Sequence, residues 1–245
     1  MERSYYRLYY QLERNHWWFV VRSSLIRQCL DIHLSGKKNL HILNVGTATG
    51  ATSKMLESYG EVVSSEYDHE TCVFLREELG MEVTEASVTE LPFEDETFDL
   101  VCAFDVIEHV EDDNRAVQEM KRVCKKGGYL AITVPADMAL WSQHDVINHH
   151  FRRYELKGIQ TLVRKAELRM VYESYFNTLL YPPVLLVRKC KKAFGSKEKP
   201  VSDFDIKLPE WINAAFKQVF SLEKLWFGRK KMPFGVSILW LGKKE

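Results

Sequence analysis

The stretch HILNVGTATG, residues 41–50, decides the fold. A short apolar run with the look of a buried strand ends in Gly46-Thr47-Ala48-Thr49-Gly50 and passes directly into ATSKMLESYG, which is patterned as a helix and closes on Gly60. A strand that turns through glycines into a helix opens a βαβ unit. Glycines in such a turn let the backbone come close to a ligand, and the helix start favours negative charge. In doubly wound sheets the ligand sits outside the carboxyl ends of the strands, at this first turn.

The alternation continues outward from there. EVVSSEYD (61–68) reads as a second strand, ETCVFLREELG (70–80) as a helix closed by glycine, and MEVTEAS (81–87) as a third strand. FDLVCAFDVIEHV (98–110) begins as a fourth strand. DDNRAVQEMKRVCKKGG (112–128) reads as a helix with an acidic start and a basic, glycine-capped end, as the helix dipole favours. YLAITVP (129–135) is a fifth strand, ELKGIQTLVRKAEL (155–168) a helix, and RMVYESYFN (169–177) and FGVSILWLGKK (234–244) the last two strands. The expectation is an α/β fold: one domain over 1–245 with a doubly wound, mostly parallel seven-stranded sheet. Residues 36–177 and 233–245 form its core. Residues 1–35, ending at Ser35-Gly36, form a helical N-terminal lid, and 178–232 a helical insertion before the last strand.

Lysine plus arginine balances aspartate plus glutamate, 34 against 34, which argues against a chain whose main work is gripping nucleic acid. Hydrophobic residues make up 46% of the sequence, enough for a sizeable core. Five scattered cysteines without a CxxC pattern speak for reduced thiols, with neither a disulfide framework nor a structural zinc. The opening MERSYYRLYYQLERNHWWF has no apolar signal-peptide core, and no run of 18 apolar residues occurs, so a cytoplasmic protein is expected. The apolar-then-basic run at 178–194 reads either as a core helix with a solvated end or as a peripheral membrane contact. A monomer or homodimer is expected.

Position assigns the first site residues. Glu66, about 20 residues past the turn, can take both hydroxyls of a ribose. Ser87 and Val88, after the third strand, can meet an adenine edge and face. Phe104 and Asp105, ending the fourth, face the same crevice. LNVGTATG, SSEYD, LPFEDETFDLVCAFDVIEHV and KKGGYLAITVP, in this order and spacing, resemble the class I S-adenosylmethionine-dependent methyltransferases, the UbiE/UbiG-like small-molecule branch in particular. The resemblance covers residues 40–135. It implies a Rossmann-like fold with S-adenosyl-L-methionine as cofactor and S-adenosyl-L-homocysteine as product. Asn44, Gly46, Thr47, Gly50, Glu66, Tyr67, Ser87, Val88, Phe104 and Asp105 would then be cofactor residues. The sequence departs from the family at Asn44 and Ser87, where aspartate is usual, and at Ala48, where glycine is usual. Ala48 is tolerable there if its φ stays negative.

Methyl transfer needs the two partners aligned and water excluded, with a base only where the nucleophile carries a proton. The bases are sought in WSQHDVINHHFRRYE (141–155): His144 or His150, oriented by Asp145, with the same network read alternatively as a pin for its loop. Trp17, Trp18, Arg22, His109, Trp141, His149, Arg152, Arg153 and Tyr154 are the candidate acceptor-binding residues, with Arg152 and Arg153 orienting an anionic group or bonding Asp145. Glu108-His109 reads mainly as a pair holding the turn after the fourth strand. A metal site from these histidines and Asp145 is a third reading of the segment; no fixed metal-ligand spacing appears, so no metal is expected. The acceptor is expected to be a small molecule, methylated on oxygen, with a lipid-like, isoprenoid or sugar part. A binding module without activity and a nucleic-acid methyltransferase are the alternatives.

Overall fold

In the computed structural model, which describes residues 3–194, Phe204 and 208–245, seven strands form one sheet in the order β3-β2-β1-β4-β5-β7-β6. They are β1 (Leu40–Val45), β2 (Gly60–Glu66), β3 (Thr84–Glu85), β4 (Phe98–Phe104), β5 (Cys124–Pro135), β6 (Leu168–Phe176) and β7 (Ser237–Lys244). β1 to β5 pair in parallel, and β7 runs antiparallel between β5 and β6. The helices are α1 (Arg3–Asn15), α2 (Trp17–His33), α3 (Ala51–Leu56), α4 (His69–Leu79), α5 (Asp113–Val123), α6 (Gln143–Ile147), α7 (Leu156–Lys165), α8 (Tyr181–Phe194) and α9 (Glu210–Ser221).

Both sheet faces are covered, so the central strands are apolar on both sides. In β1, Leu43 and Val45 join one core with α5 and α7, while Leu40 and Ile42 join the other with α2 and α3. β1 lies between β2 and β4, so the connections leave it in opposite directions along the sheet. This switch point opens a crevice at its carboxyl end.

Four expectations need correction. α2 buries Val21, Leu25, Ile26, Cys29 and Leu30 against the sheet, so this half of the expected lid is core. α5 stops at Val123, because Cys124 pairs with Phe98 and opens β5; KKGG then bulges, and the ladder resumes at Leu100–Tyr129. The third strand keeps only two residues, Thr84 and Glu85. α3 ends at Leu56, and Gly60 starts β2 instead of closing the helix; a Cβ there would lie 2.0 Å from the Leu40 carbonyl oxygen. Within 178–232 the described residues form α8, α9 and a 3₁₀ turn at Leu222–Leu225.

Candidate active site

The loop between β1 and α3 is pinned from two sides. The Gly46 and Thr47 amides donate to the Ser65 carbonyl (2.8 and 3.1 Å), anchoring the loop to the end of β2. Behind it, the fully buried Asn44 amide lies 3.0, 2.9 and 2.8 Å from the hydroxyls of Thr47, Thr52 and Ser53. Thr47 is itself buried and bonds Ser53. Asn44 and Thr47 therefore set the loop's shape and do not line the crevice, a correction to their expected contact with cofactor. Gly50, at φ 86, caps α3 and faces Met81. Ala48 sits at φ 48, against the negative φ expected for it. An L residue held left-handed costs about 1–2 kcal/mol, so the sequence keeps strain where glycine would relieve it.

Glu66 ties this loop to the next one. One carboxylate oxygen accepts from the Ala48 amide (2.9 Å), the other from the amides of Tyr67 and Asp68 (2.9 and 3.2 Å). Tyr67 itself is 76% exposed and points away. Ser87 closes its own turn onto Thr89, and Val88 is buried in the core, so neither presents the surface expected for adenine.

A cavity of about 300 Å³ lies at the ends of β1 and β4. Its floor is Gly46, Ala48, Phe104 and Asp105. α1 and α2 contribute Glu13, His16, Trp17, Trp18 and Arg22, and α8 and α9 contribute Arg188 and Phe216. Phe204 also lines the cavity, tilted against Phe19 and edge-on to His144, with ring centroids 4.7 and 5.0 Å away. Asp105, at φ 57, pairs with Arg22 at 2.6 Å, and Arg22 also donates to Thr133 (3.2 Å). The Glu13 carboxylate accepts from the Thr49 hydroxyl; burial raises its pKa, opposed by that bond and by the charges of Arg14 and Arg22. Desolvation takes the His16 imidazole down to about 4. Glu13 and His16 were missed in the sequence, although Tyr9, Glu13 and His16 follow helical spacing on one face.

The far wall comes from the two segments after β4 and β5. Glu108 is fully buried, and among the described residues neither carboxylate oxygen meets a donor at hydrogen-bond geometry, so it does not hold its turn as expected. Burial, then the charge of Asp105, raises its pKa well above the ordinary glutamate value. His109 opens to the cavity; desolvation and the neighbouring His150 lower its pKa to about 4. The His150 Nδ1 lies 3.0 Å from the fully buried Asp145, which Arg153 grips through Nε and Nη2 (2.7 and 3.1 Å) and to which the Ser142 amide donates (2.9 Å). Burial pushes the Asp145 carboxyl up, but the bond to His150 and the Arg153 charge outweigh it and hold it well below the usual range. His144 also faces the cavity and meets Asn148 at 3.1 Å through Nδ1.

Of the expected acceptor residues, Trp17, Trp18, Arg22, His109 and Arg153 line the cavity, the last with its guanidinium committed to Asp145. Four do not. Arg152 pairs with Asp113 (2.9 Å) and donates to the Glu111 carbonyl. The buried Tyr154 hydroxyl donates to Asp113 (2.9 Å). His149, at φ 56, is exposed in its turn, and Trp141 lies outside the cavity. These residues shape the segment, and it is the segment that delivers His144 and His150.

Residues 43–132 match the family described as "Methyltransferase domain". The phosphatidylethanolamine N-methyltransferase of Cereibacter sphaeroides is 36% identical over 98 residues, 37% of this chain and 48% of that protein. The chain spans about half the length of the first curated relatives it matches, 48% and 53%. Among solved structures, Haemonchus contortus phosphoethanolamine N-methyltransferase 2 in complex with S-adenosyl-L-methionine has a TM-score of 0.56 at 16% identity, over 88% of this chain and 51% of that one. The [4+2]-cyclase SpnF has a TM-score of 0.58 at 14% identity, over 91% and 80%. At these identities the structures share the fold alone.

Proposed function

We propose that the chain, whose residues 43–132 match the methyltransferase-domain family, transfers a methyl group from S-adenosyl-L-methionine to a small-molecule acceptor in the cavity at the ends of β1 and β4. The observation that carries this reading is the pinned Gly46–Gly50 loop bordering the same cavity as the histidine wall. The lining can receive a cationic sulfonium through the aromatic faces of Phe104 and Trp18 and the carboxyl groups of Glu13 and Asp105, the latter already paired with Arg22. Glu66, at the loop's outer edge, keeps a lone pair on the oxygen that accepts from Ala48, and there it would take a ribose hydroxyl. When bound, the cofactor supplies the methyl group and leaves as S-adenosyl-L-homocysteine.

The chain's own residues align and sequester. Trp17, Trp18 and Phe204 give the acceptor an apolar wall that excludes water. Asp145, fixed by Arg153, sets the His150 tautomer so that Nε2 is the free acceptor for an acceptor proton, with His144 beside it at a ring separation of 6.0 Å. This arrangement favours a hydroxyl nucleophile on an apolar or sugar-bearing molecule. The name of one relative, the phosphatidylethanolamine N-methyltransferase, supports a second reading, transfer to an ethanolamine nitrogen.

Two further points belong to the proposal. α8 exposes Leu186 (64%) and Val187 (52%) beside Arg188, Lys189, Lys191 and Lys192, a combination suited to resting on an anionic membrane surface. No helix among the described residues is long and apolar enough to cross a membrane. The unpaired cysteines fit a reducing, cytoplasmic setting.

Calorimetry with S-adenosyl-L-methionine, followed by labelled-methyl transfer to hydroxyl and amine acceptors, tests the reading. Micromolar binding with turnover is expected, and no binding at millimolar cofactor defeats it. Glu66→Ala is expected to weaken cofactor binding by about 1–3 kcal/mol, and unchanged affinity removes its ribose role.

A further inference from the structure

We propose that Glu108, His109 and His150 form a binding site for a divalent transition-metal ion in the wall of the cavity. Their donor atoms, a carboxylate oxygen and two imidazole nitrogens, all lie within 4.8 Å of one another. The His109 and His150 rings stand 4.5 Å apart and nearly perpendicular, at 88°. Two imidazoles and one carboxylate, with the remaining positions open, are a donor set that suits zinc and its first-row neighbours.

Three features show a site prepared for a ligand. First, both Glu108 oxygens are buried without a donor although the residue borders the cavity. A carboxylate left in this condition is costly unless a cation or donor meets it. Second, His150 is oriented as metal-ligating histidines are: Nδ1 faces the Asp145 carboxylate at 3.0 Å, which leaves Nε2 for the ion. Asp145 is in turn fixed by Arg153 and Ser142, so the ring is held from outside the site. Third, His109 opens to the same cavity with its ring edge-on to that of His150, so the two imidazoles converge on one point. For His150 the carboxylate partner settles which nitrogen coordinates.

The ligands come from two segments that meet only in the folded chain. Glu108 and His109 belong to the 3₁₀ turn after β4, and His150 follows α6 beyond β5. The Phe151 amide donates to the Glu108 carbonyl at 2.8 Å and locks the two segments in register. An ion here would face the cavity, where an oxygen of the acceptor can complete its coordination; with His150 Nε2 on the ion, His144 would be the group left to take the acceptor's proton. That last step rests on the methyl-transfer reading; the ion site does not.

Cobalt(II) and zinc(II) added to the full chain after chelator treatment test the site. Visible cobalt absorption and zinc calorimetry are expected to report one ion per chain. Glu108→Gln and His150→Ala should each weaken it by about 100-fold or more, beyond what loss of an outer-sphere partner produces. The metal-free Glu108→Gln protein should melt no lower than the parent, since it loses no hydrogen bond; a purely structural glutamate would lower the melting temperature. Absence of stoichiometric binding at 100 μM cobalt, or unchanged affinity in both variants, overturns the proposal. Cofactor calorimetry on the same metal-free protein separates the two readings. Cobalt binding without cofactor binding sinks the methyltransferase reading and leaves the site standing, and the reverse result sinks the site alone.

Discussion

Glu223 and Glu108 are the same residue type at the same depth, both fully buried and both in a 3₁₀ turn. Glu223 accepts the amides of Asn177 (2.8 Å), Thr178 (2.6 Å) and Leu179 (3.0 Å), and so fastens the end of β6 to the segment preceding β7. Glu108 accepts from no donor at bonding geometry and borders a cavity instead. Burying a carboxylate costs several kcal/mol, which hydrogen bonds or a cation must offset. At Glu223 the backbone supplies the offset, so the residue is structural. At Glu108 the fold withholds it, and partner supply marks the functional carboxylate where burial does not.

Mutations can break this contrast. The largest effect is expected at Glu223→Ala, which strands two buried amides and one half-buried one and should cost about 3 kcal/mol or more in urea unfolding; a cost below 1 kcal/mol would erase the distinction. Glu108→Leu in the metal-free protein should stabilise it by about 1–2 kcal/mol by the same measurement, and a comparable loss would show that Glu108 has structural partners after all. Tyr154→Phe removes the hydroxyl that bonds Asp113 and should cost about 1 kcal/mol of stability while cofactor affinity by calorimetry stays put, which tests whether this part of the segment is scaffold. The smallest effect belongs to Ala48→Gly. Relief of the left-handed φ is partly cancelled by the looser unfolded chain, for a net gain of a few tenths to about 1 kcal/mol in thermal melts. A drop in stability would mean that Ala48 is not strained.

Much of the fold was legible because its signals are local. Glycine turns and the change of hydrophobic period mark the strand–helix alternation. Phe104 and Asp105 could be placed at the crevice because strand ends in this fold face it. The failures share a cause in nonlocal pairing. The basic, glycine-ended tail after α5 looks like a helix end, yet the Phe98–Cys124 pairing makes it strand. Ser87 and Val88 follow the third strand as expected, yet one turns onto Thr89 and the other into the core. The aromatics around Trp17 suggested a lid, but the helix they open is anchored by Leu25, Ile26 and Leu30.

By itself the sequence determined the class of fold, the turn around which the crevice forms and the histidine-bearing segment beside it, since periodicity and turn chemistry act over a few residues. Only the tertiary structure decided that Glu108 and His109 meet His150, that Asp145 orients that ring, and that Arg152 and Tyr154 serve the scaffold. The physical reason is that a side chain's role follows from which donors, acceptors and charges reach it, and those arrive from segments far apart along the chain.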